Sequence, residues 1–252
     1  MKIMSFNIRY HEERDGINAF FKRLTRVLDV INKEKADIIG FQEVTNEMRC
    51  VLRERLTDYI TVGCGRGEDY HGEAMLIAYR KDMFELISLE NIWLSETPNI
   101  PGTKYGLDHS HCPRMYTCLL LKHNDIEQPF RFINTHLDHA GKEARVLEAK
   151  QLVSAISKFK EKFIMTGDFN AEPSSPEIKL ITESLSSIGG VDCSKDLGPT
   201  FHAFGTLPEH KLIKIDYIFS NFECKSAYKV EDIPICGQYY SDHNAVCAIL
   251  EV

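Results

Sequence analysis

The order strand, polar loop, helix, strand occurs twice in this chain, and the repetition constrains the fold more than any other feature. It runs through residues 3–44 and again through residues 130–170. Polar residues follow the two strands of each copy: Asn7 and Glu43 in the first, and His136, Asp168 and Asn170 in the second. Two such halves predict an α/β fold in which two packed sheets carry helices outside, with the polar strand ends meeting at one rim.

Hydrophobic periodicity extends this pattern along the chain. Apolar or alternating runs predict strands over residues 2–8, 36–41, 59–62, 74–79, 84–94, 114–121, 130–135, 163–165, 213–219, 224–230 and 245–250. Helical spacing predicts helices over residues 18–34, 45–57, 142–159 and 176–185. Residues 95–112 are expected to form a long loop, and residues 186–212 to be irregular. Because nothing in the sequence is typical of a linker, we expect a single domain over residues 1–252.

Residues 162–172, KFIMTGDFNAE, place two polar side chains at the end of one predicted strand. The apolar run stops at Thr166 and Gly167. If side chains continue to alternate, Asp168 and Asn170 lie on one side and Phe169 on the other. Gly, Asp and Asn are also turn residues, so residues 167–170 taken alone favour a surface turn.

The wider set of polar residues beside apolar strands changes that balance. A single buried acid is usually a paired structural residue, whereas acids, amides and histidines that recur at strand ends indicate an active site. The members of this set are Asn7, Glu43, His136, Asp168, Asn170, Asp216, Asp242 and His243.

Charge and cysteine usage exclude some classes of function. The formal net charge is −7 and no Lys/Arg block occurs, so tight non-specific binding to long nucleic acid is not expected. The eight cysteines are scattered without a CxxC pair, which is typical of reduced, mostly buried thiols, with Cys118 and Cys247 in the core. With neither a signal peptide nor a membrane-spanning stretch, we expect a cytoplasmic protein without membrane association.

Six short motifs resemble one known superfamily. MSFNIR, GFQEV, NTHLDH, MTGDFNAEP, IDYIF and YSDH follow one another between residues 4 and 243. In this order they are similar to the endonuclease/exonuclease/phosphatase superfamily, which includes DNase I. The resemblance implies a four-layer α/β/β/α sandwich, with two packed mixed sheets flanked by helices. It also implies hydrolysis of phosphodiesters or phosphomonoesters with a divalent metal.

The resemblance also implies a role for each strand-end residue. The metal ligands would be Glu43, helped by Asn7 and Asp242, and few oxygen ligands suit Mg²⁺, with Mn²⁺ as an alternative. Asp168 would orient and deprotonate the attacking water, and Asn170 would hold that water or a phosphate oxygen. His243, steadied by Asp216, would contact the phosphate, and His136 would donate to another phosphoryl oxygen.

Substrate binding is expected from residues near the two polar loops at 63–73 and 95–112, which we interpret as specificity elements. The predicted substrate-binding residues are Arg9, Arg114, His139 and Asp108. Alternatives stay open for several positions. Arg114 equally fits an ion pair across the sheet, and Asp138 and His139 equally fit caps of the helix that begins near Gly141. We expect His109 and His111 to be solvated, like the charged helix face at 142–150.

Two departures separate the chain from the abasic-site endonucleases. Arg9 stands where those enzymes have an acid, and Ile133 where they have a tyrosine. The sequence is more similar to a compact bacterial branch of metal-dependent hydrolases, which shares NTHLDH followed by Glu-Ala-Arg, with LSETP and CPR. We therefore expect a Mg²⁺-dependent phosphoesterase acting on a small molecule of the sugar phosphate type or on a short oligonucleotide, with no evident protein partner. A deadenylase-like or DNA endonuclease activity, or an inactive binding module, is the alternative.

Overall fold

The computed structural model describes residues 1–106 and 108–251. Leu107, inside the predicted 95–112 loop, and Val252, at the end of the predicted domain, lie outside the described residues. The first of two six-stranded sheets contains β1 (Lys2–Asn7), β2 (Ile38–Val44), β3 (Tyr59–Val62), β4 (Ala74–Arg80), β11 (Glu223–Val230) and β12 (Ala245–Glu251). The second contains β5 (Phe84–Trp93), β6 (Met115–His123), β7 (Phe130–His136), β8 (Lys162–Asp168), β9 (Val191–Asp192) and β10 (Asp216–Ser220).

The two sheets share one internal arrangement. Their strand orders are β11-β12-β1-β2-β4-β3 and β5-β6-β7-β8-β10-β9. Each has a central parallel pair, β1 with β2 and β7 with β8, flanked by antiparallel strands. A helix joins the strands of each parallel pair, as crossover connections require. The helices are α1 (Phe20–Glu34), α2 (Asn46–Arg55), α3 (Lys142–Ile156) and α4 (Pro176–Ser186), with short 3-10 helices at Glu13–Asn18 and Glu209–Lys211.

Alternation along the central strands separates three apolar clusters. Ile3 of β1 packs between the sheets, whereas Met4 packs on the face that α1 and α2 cover. Phe163 and Met165 of β8 pack on the outer face of the second sheet, under α3 and α4. The order of layers is therefore helices, sheet, sheet, helices, and the predicted α/β four-layer sandwich is confirmed. The single-domain organisation stays a prediction.

Near the site the contact between the sheets becomes polar, and we call this contact the polar seam. The fully buried Asn134 of β7 donates to the carbonyl oxygens of Phe41 and Leu76 in the other sheet. Its Oδ1 accepts from Gln42 at 2.7 Å and from Thr166 at 3.1 Å. The backbones approach closely here, since a Cβ atom on Gly40 would lie 2.1 Å from Thr166 Oγ1. Hydrogen bonds thus join the sheets in one relative position.

Some predicted boundaries are wrong. β8 does not stop at Thr166 and Gly167 but continues to Asp168, whereas β10 begins only at Asp216. α3 ends at Ile156, three residues before the predicted end. The expected irregular stretch 186–212 contains β9 and one of the 3-10 helices.

All eight cysteines are free thiols. Cys118 and Cys247 are buried, as predicted, but the other six are partly or fully exposed, so the expectation of mostly buried thiols is wrong. Among the described residues, no helix combines the length and apolar character needed to cross a bilayer.

Candidate active site

Three predicted residues form one row across neighbouring strands of the second sheet. His136 ends β7, Asp168 ends β8 and Asp216 begins β10, and the registers pair Asp168 with both of the others. Each side chain is nearly or fully buried. Because the row lies at the strand ends, these groups face the rim where the sheets meet.

The first sheet contributes Asn7 and Glu43 from the ends of its parallel pair. The Asn7 carboxamide donates to Glu43 Oε1 at 3.0 Å and to Asp168 Oδ2 at 2.9 Å. One side chain thus holds carboxylates from both sheets. Its Oδ1 accepts the Arg9 N–H at 2.9 Å, and the predicted role of Asn7 as a metal ligand stays a prediction. Asn7 is therefore placed as a bridge between the two carboxylates.

Left-handed backbone turns the chain at three of the site residues. Arg9, Glu43 and Asn170 have φ values of 50°, 65° and 48°. This conformation is uncommon for residues other than glycine and often occurs at functional sites. Asp168 and Asn170 do lie on the same side, with Phe169 buried opposite, but through this turn and not through continued strand alternation.

His243 is held against three carboxylates. Its Nδ1 lies 2.9 Å from Asp216 Oδ2, and its Nε2 lies 3.8 Å from Asp168 Oδ2 and 4.0 Å from Asp242 Oδ1. Burial alone would lower the pKa of His243, but the charge and hydrogen bond of Asp216, followed by the other two acids, raise it to about 10. The imidazole is therefore a buried cation at neutral pH.

Burial, and then the charge of Asp216, raise the pKa of Asp168 to about 7. Burial also raises the pKa of Asp242. Glu43 differs, because the charge of Arg9 and the Asn7 hydrogen bond outweigh its burial and lower its pKa. The carboxylates at this rim are thus electrostatically distinct.

Both hydrogens of the Asn170 side-chain nitrogen are used in hydrogen bonds. Its Nδ2 donates to the Leu137 carbonyl at 3.0 Å and to His136 Nε2 at 2.9 Å, which leaves Oδ1 as the free atom. Burial, and then the positive charges of Arg114 and Arg66, hold the pKa of His136 well below its ordinary value. The neutral imidazole accepts at Nε2 and carries its proton on Nδ1.

A buried arginine of α1 supports this rim from behind. Arg23 is fully buried and donates to the carbonyl oxygens of Ile8 and Arg9, which follow Asn7. It also donates to those of Asn18 and Tyr240, the latter two residues before Asp242. The guanidinium therefore ties the end of β1 to the segment that carries Asp242 and His243.

The opposite end of the same cleft is cationic. Arg66 donates to Glu73 at 2.6 Å, and the Trp93 indole fixes the Arg66 carbonyl at 2.7 Å. Arg114 Nη2 donates to His139 Nδ1 at 2.9 Å. We call Arg66, Arg114 and His139 the cationic end, and Glu43, Asp168, Asp216, Asp242 and His243 with Asn7 the acidic end.

A buried network behind the cationic end contradicts two expectations. His109 is not solvated, because its ring lies 3.2 Å from Asp138 and 2.9 Å from Glu148. Glu148 is fully buried, so the 142–150 helix face is not solvated throughout. Asp138 accepts the N–H groups of Ala140 and Gly141, which precede the first residue of α3, so it closes the turn before the helix and does not cap it; it also lies 3.5 Å from Arg114.

Asp108 is placed away from the cleft. Its carboxylate accepts the N–H groups of Glu143 and Ala144 in the first turn of α3. The side chain thus caps a helix, and the role of Asp108 in substrate binding stays a prediction that these contacts do not support.

Most of the remaining predicted residues surround one cleft of about 450 Å³. Asn7 and Asp216 lie directly behind its wall, in contact with residues that line it. The predicted residues that line it are Arg9, Glu43, Arg114, His136, His139, Asp168, Asn170, Asp242 and His243. Sequence reasoning missed Tyr10, Arg66, Glu73 and Phe201. The available signal was that Arg66 and Glu73 lie in the predicted specificity loop 63–73.

One group of side chains has the spacing of a cation site. Ligand atoms of Glu43, His136 and Asp168 lie within 4.8 Å of one another. A second group, Asp168, Asp216 and His243, has the same spacing. In that group the ion pair between His243 and Asp216 already explains the short distance. The carboxylates of the first group, with Asp242 beside them, therefore fit a divalent ion better, whereas the Nε2 lone pair of His136 is taken by Asn170.

Comparison with known proteins agrees with this geometry. The model of the Endonuclease/Exonuclease/phosphatase family matches residues 4–243. An endonuclease/exonuclease/phosphatase of Bacteroides vulgatus is 32% identical with a TM-score of 0.91, over 99% of this chain and 98% of that one. The mannosyl-6-phosphatase Bt3783 of Bacteroides thetaiotaomicron is 25% identical with a TM-score of 0.85, over the whole of both chains.

Protein L388 of Acanthamoeba polyphaga mimivirus is 25% identical over the full length of both sequences. The family match covers nearly the whole chain, and the cleft with its acids and histidines lies inside the matched range. The chain therefore belongs to the endonuclease/exonuclease/phosphatase family and is a hydrolase of phosphoester bonds.

Proposed function

We propose that the protein is a Mg²⁺-dependent phosphoesterase that hydrolyses a small phosphorylated molecule with a water activated by Asp168. The observation that carries the proposal is the bridge made by Asn7, which holds Glu43 and Asp168 from two different sheets at one rim of the cleft. Two carboxylates fixed in this way, with His243 and Asn170 around them, form a site for a phosphate and a water.

Glu43, with Asp168 and Asp242 nearby, offers the hard oxygen ligands that Mg²⁺ prefers and that Mn²⁺ also accepts. When bound, such an ion would polarise a phosphoryl oxygen and offset charge on the leaving oxygen. Asn7 would contribute by holding the two carboxylates, and its Oδ1, which accepts the Arg9 N–H, keeps a second lone pair for the ion.

Side chains of the cleft activate the water and contact the phosphate. Asp168 accepts the proton of the attacking water, and the free Oδ1 of Asn170 accepts the other hydrogen and orients that water. His243, kept cationic and fixed by Asp216, donates to a phosphoryl oxygen where negative charge develops. His136 has its remaining proton on Nδ1, so any donation to phosphate comes from that atom.

A small substrate fits better than duplex DNA. The cleft of about 450 Å³ falls within the range typical of small-molecule sites, roughly 300–1,000 Å³. The net charge of −7 provides no extended basic footprint for a long polyanion. The relative named mannosyl-6-phosphatase supports a sugar phosphate, and the free thiols fit a reducing compartment such as the cytoplasm.

The test compares wild type with Asp168→Asn, in Mg²⁺ or Mn²⁺, against sugar phosphates, inositol phosphates, oligo(A), single-stranded DNA and abasic duplex. We expect metal-dependent hydrolysis that falls by about 10³-fold in the variant. Asp125→Asn, at an exposed turn outside the cleft, serves as the matched control and retains activity. Undiminished hydrolysis by Asp168→Asn would refute the mechanism, and abasic duplex as the best substrate would refute the substrate class.

A further inference from the structure

The cationic end contains more hydrogen-bond donors than the protein itself uses. Arg66 is 7% exposed and Arg114 only 2% exposed, yet both line the cleft. Arg66 Nη1 and Arg114 Nη1 are buried and have no hydrogen-bond partner among the described residues. A buried donor without an acceptor costs free energy, and more so on a charged group. Each guanidinium therefore retains capacity for an anionic partner.

His139 adds a third donor to the same place. Arg114 has only donor atoms, so His139 Nδ1 must accept from it and the His139 proton lies on Nε2. The positive charges of Arg114 and Arg66 both help to lower the pKa values of His136 and His139, after burial. The two arginines thus act on the same small volume, and their charges are incompletely neutralised there.

The carboxylates near these arginines do not accept hydrogen bonds from the two unpaired Nη1 atoms. Glu73 takes Nη2 of Arg66. Asp138 lies 3.5 Å from Nε of Arg114 and is already occupied by the N–H groups of Ala140 and Gly141. Neither acid contacts the Nη1 atoms.

We propose that Arg66 and Arg114, with His139, form a second anion subsite, so that the substrate carries another anionic group besides the phosphate that is hydrolysed. This inference rests on the proposed function and makes the substrate more specific. The ligand class is a small phosphate ester with two anionic groups. One is the phosphate that is hydrolysed, and the other is a second phosphate or a carboxylate. Planar guanidinium groups pair well with either.

The reacting phosphate already has its own set of groups. Asp168, Asn170 and His243 surround the proposed water and phosphate position at the acidic end. The cationic end is built from other segments, the 63–73 loop and residues 114 and 139. An anion bound there is therefore a second recognition point within one cleft.

The experiment measures binding in the Asp168→Asn background with Mg²⁺ present, so that ligands are not consumed. Calorimetry compares two pairs of ligands, glucose 6-phosphate with 6-phosphogluconate and fructose 6-phosphate with fructose 1,6-bisphosphate. The first pair adds a carboxylate and the second adds a phosphate. We expect the second anion to tighten binding by about 10- to 100-fold in at least one pair, as charged hydrogen bonds of this kind allow.

The matched variants remove an arginine together with its acid. Arg66→Gln with Glu73→Gln leaves no buried acid unpaired and should abolish most of the preference for doubly anionic ligands. Arg80→Gln with Asp82→Asn removes a comparable pair outside the cleft and should keep the preference.

Equal binding of both members of each pair, within about threefold, would overturn the subsite. The subsite would also be overturned if the Arg66 double variant lost the same factor in affinity for ligands with one and with two anionic groups. The arginines would then hold the reacting phosphate. A separate assay follows wild-type hydrolysis of p-nitrophenyl phosphate with Mg²⁺. Its absence, with the binding preference intact, would count against the proposed hydrolysis and not against the subsite.

Discussion

The acidic and cationic ends of the cleft are built from different kinds of structure. The acidic end uses residues at or beside the first or last residue of a strand, and Asn7 fixes carboxylates of the two sheets. The cationic end uses loop residues whose support comes from α3 and the buried network around Asp138. Most polar atoms of the acidic end pair with one another, with Asp216 Oδ1 as an exception, whereas the cationic end keeps open donors on two guanidinium groups. The groups proposed for reaction are thus held on the sheet scaffold, and those proposed for recognition lie on loops, where binding residues are common.

After Asp168→Asn, the largest effect is expected at the acidic end from Asp216→Asn. The variant removes the negative charge that keeps His243 cationic and oriented, so kcat should fall by about 100-fold or more. KM should change much less. Steady-state kinetics on the best substrate from the panel would check this, with the exposed Asp196→Asn as control. A change confined to KM would contradict the role of the pair.

Arg23→Met tests the support behind the acidic end. Four carbonyl oxygens lose their donor, so the free energy of unfolding should fall by about 2–4 kcal/mol. Urea denaturation measures this loss. Arg26→Met is the comparison on the same helix, since Arg26 donates to two acceptors, Asp232 and the Ile233 carbonyl, and not to four, so this variant should cost less. An equal loss of unfolding free energy in the two variants would contradict the role of Arg23 in supporting the acidic end.

His109→Asn tests the support behind the cationic end, with an effect that depends on pH. Burial lowers the pKa of His109, but the Glu148 hydrogen bond and the nearby acids outweigh burial and raise it. A raised folded-state pKa contributes stability that is complete below the unfolded value, about 6.5. That contribution is lost as pH rises through the folded value.

The stability difference between wild type and His109→Asn should therefore be widest near pH 6, at about 1–2 kcal/mol, and narrow at higher pH. Urea denaturation over a pH series measures it. His111→Asn, at an exposed neighbour, should show no such trend. A difference that widened as pH rose would mean that His109 is neutral in the folded protein.

Asp108→Ala should have the smallest effect. Its contacts are two N–H groups at the start of α3, so we expect a slight decrease in Tm at pH 7 and unchanged kcat and KM. Differential scanning calorimetry and kinetics together separate the capping role from the substrate contact that the sequence predicted. A raised KM at unchanged Tm would restore the original prediction.

The sequence predicts the acidic end better than the cationic end for a physical reason. Asn7, Glu43 and Asp168 follow apolar strands, and the position of a strand end is readable from local alternation. The motif order then identifies the family. The left-handed turn at Asn170 is not readable in this way, because an alternating strand and a turn both place Asn170 beside Asp168.

The cationic end depends on contacts between distant segments. His109 is buried because Glu148 on α3 and Asp138 surround it, and no pattern within residues 95–112 indicates that burial. Arg66 and Glu73 pair within one glycine-rich loop whose backbone pattern has no period. Such pairs follow from tertiary packing, so the sequence locates the loops without assigning their residues.

The polar seam has a consequence for catalytic tolerance. Burial of apolar surface has no directional preference. A purely apolar interface would therefore not fix the position of one sheet along the other. Asn134, hydrogen-bonded to Phe41 and Leu76 across the interface, permits a single alignment. Displacement by one residue, about 3.3 Å, would break the seam and also separate Asn7 from Asp168. The relative position of the catalytic groups proposed on the two sheets is thus set by seam residues that lie one or two positions before Glu43, His136 and Asp168.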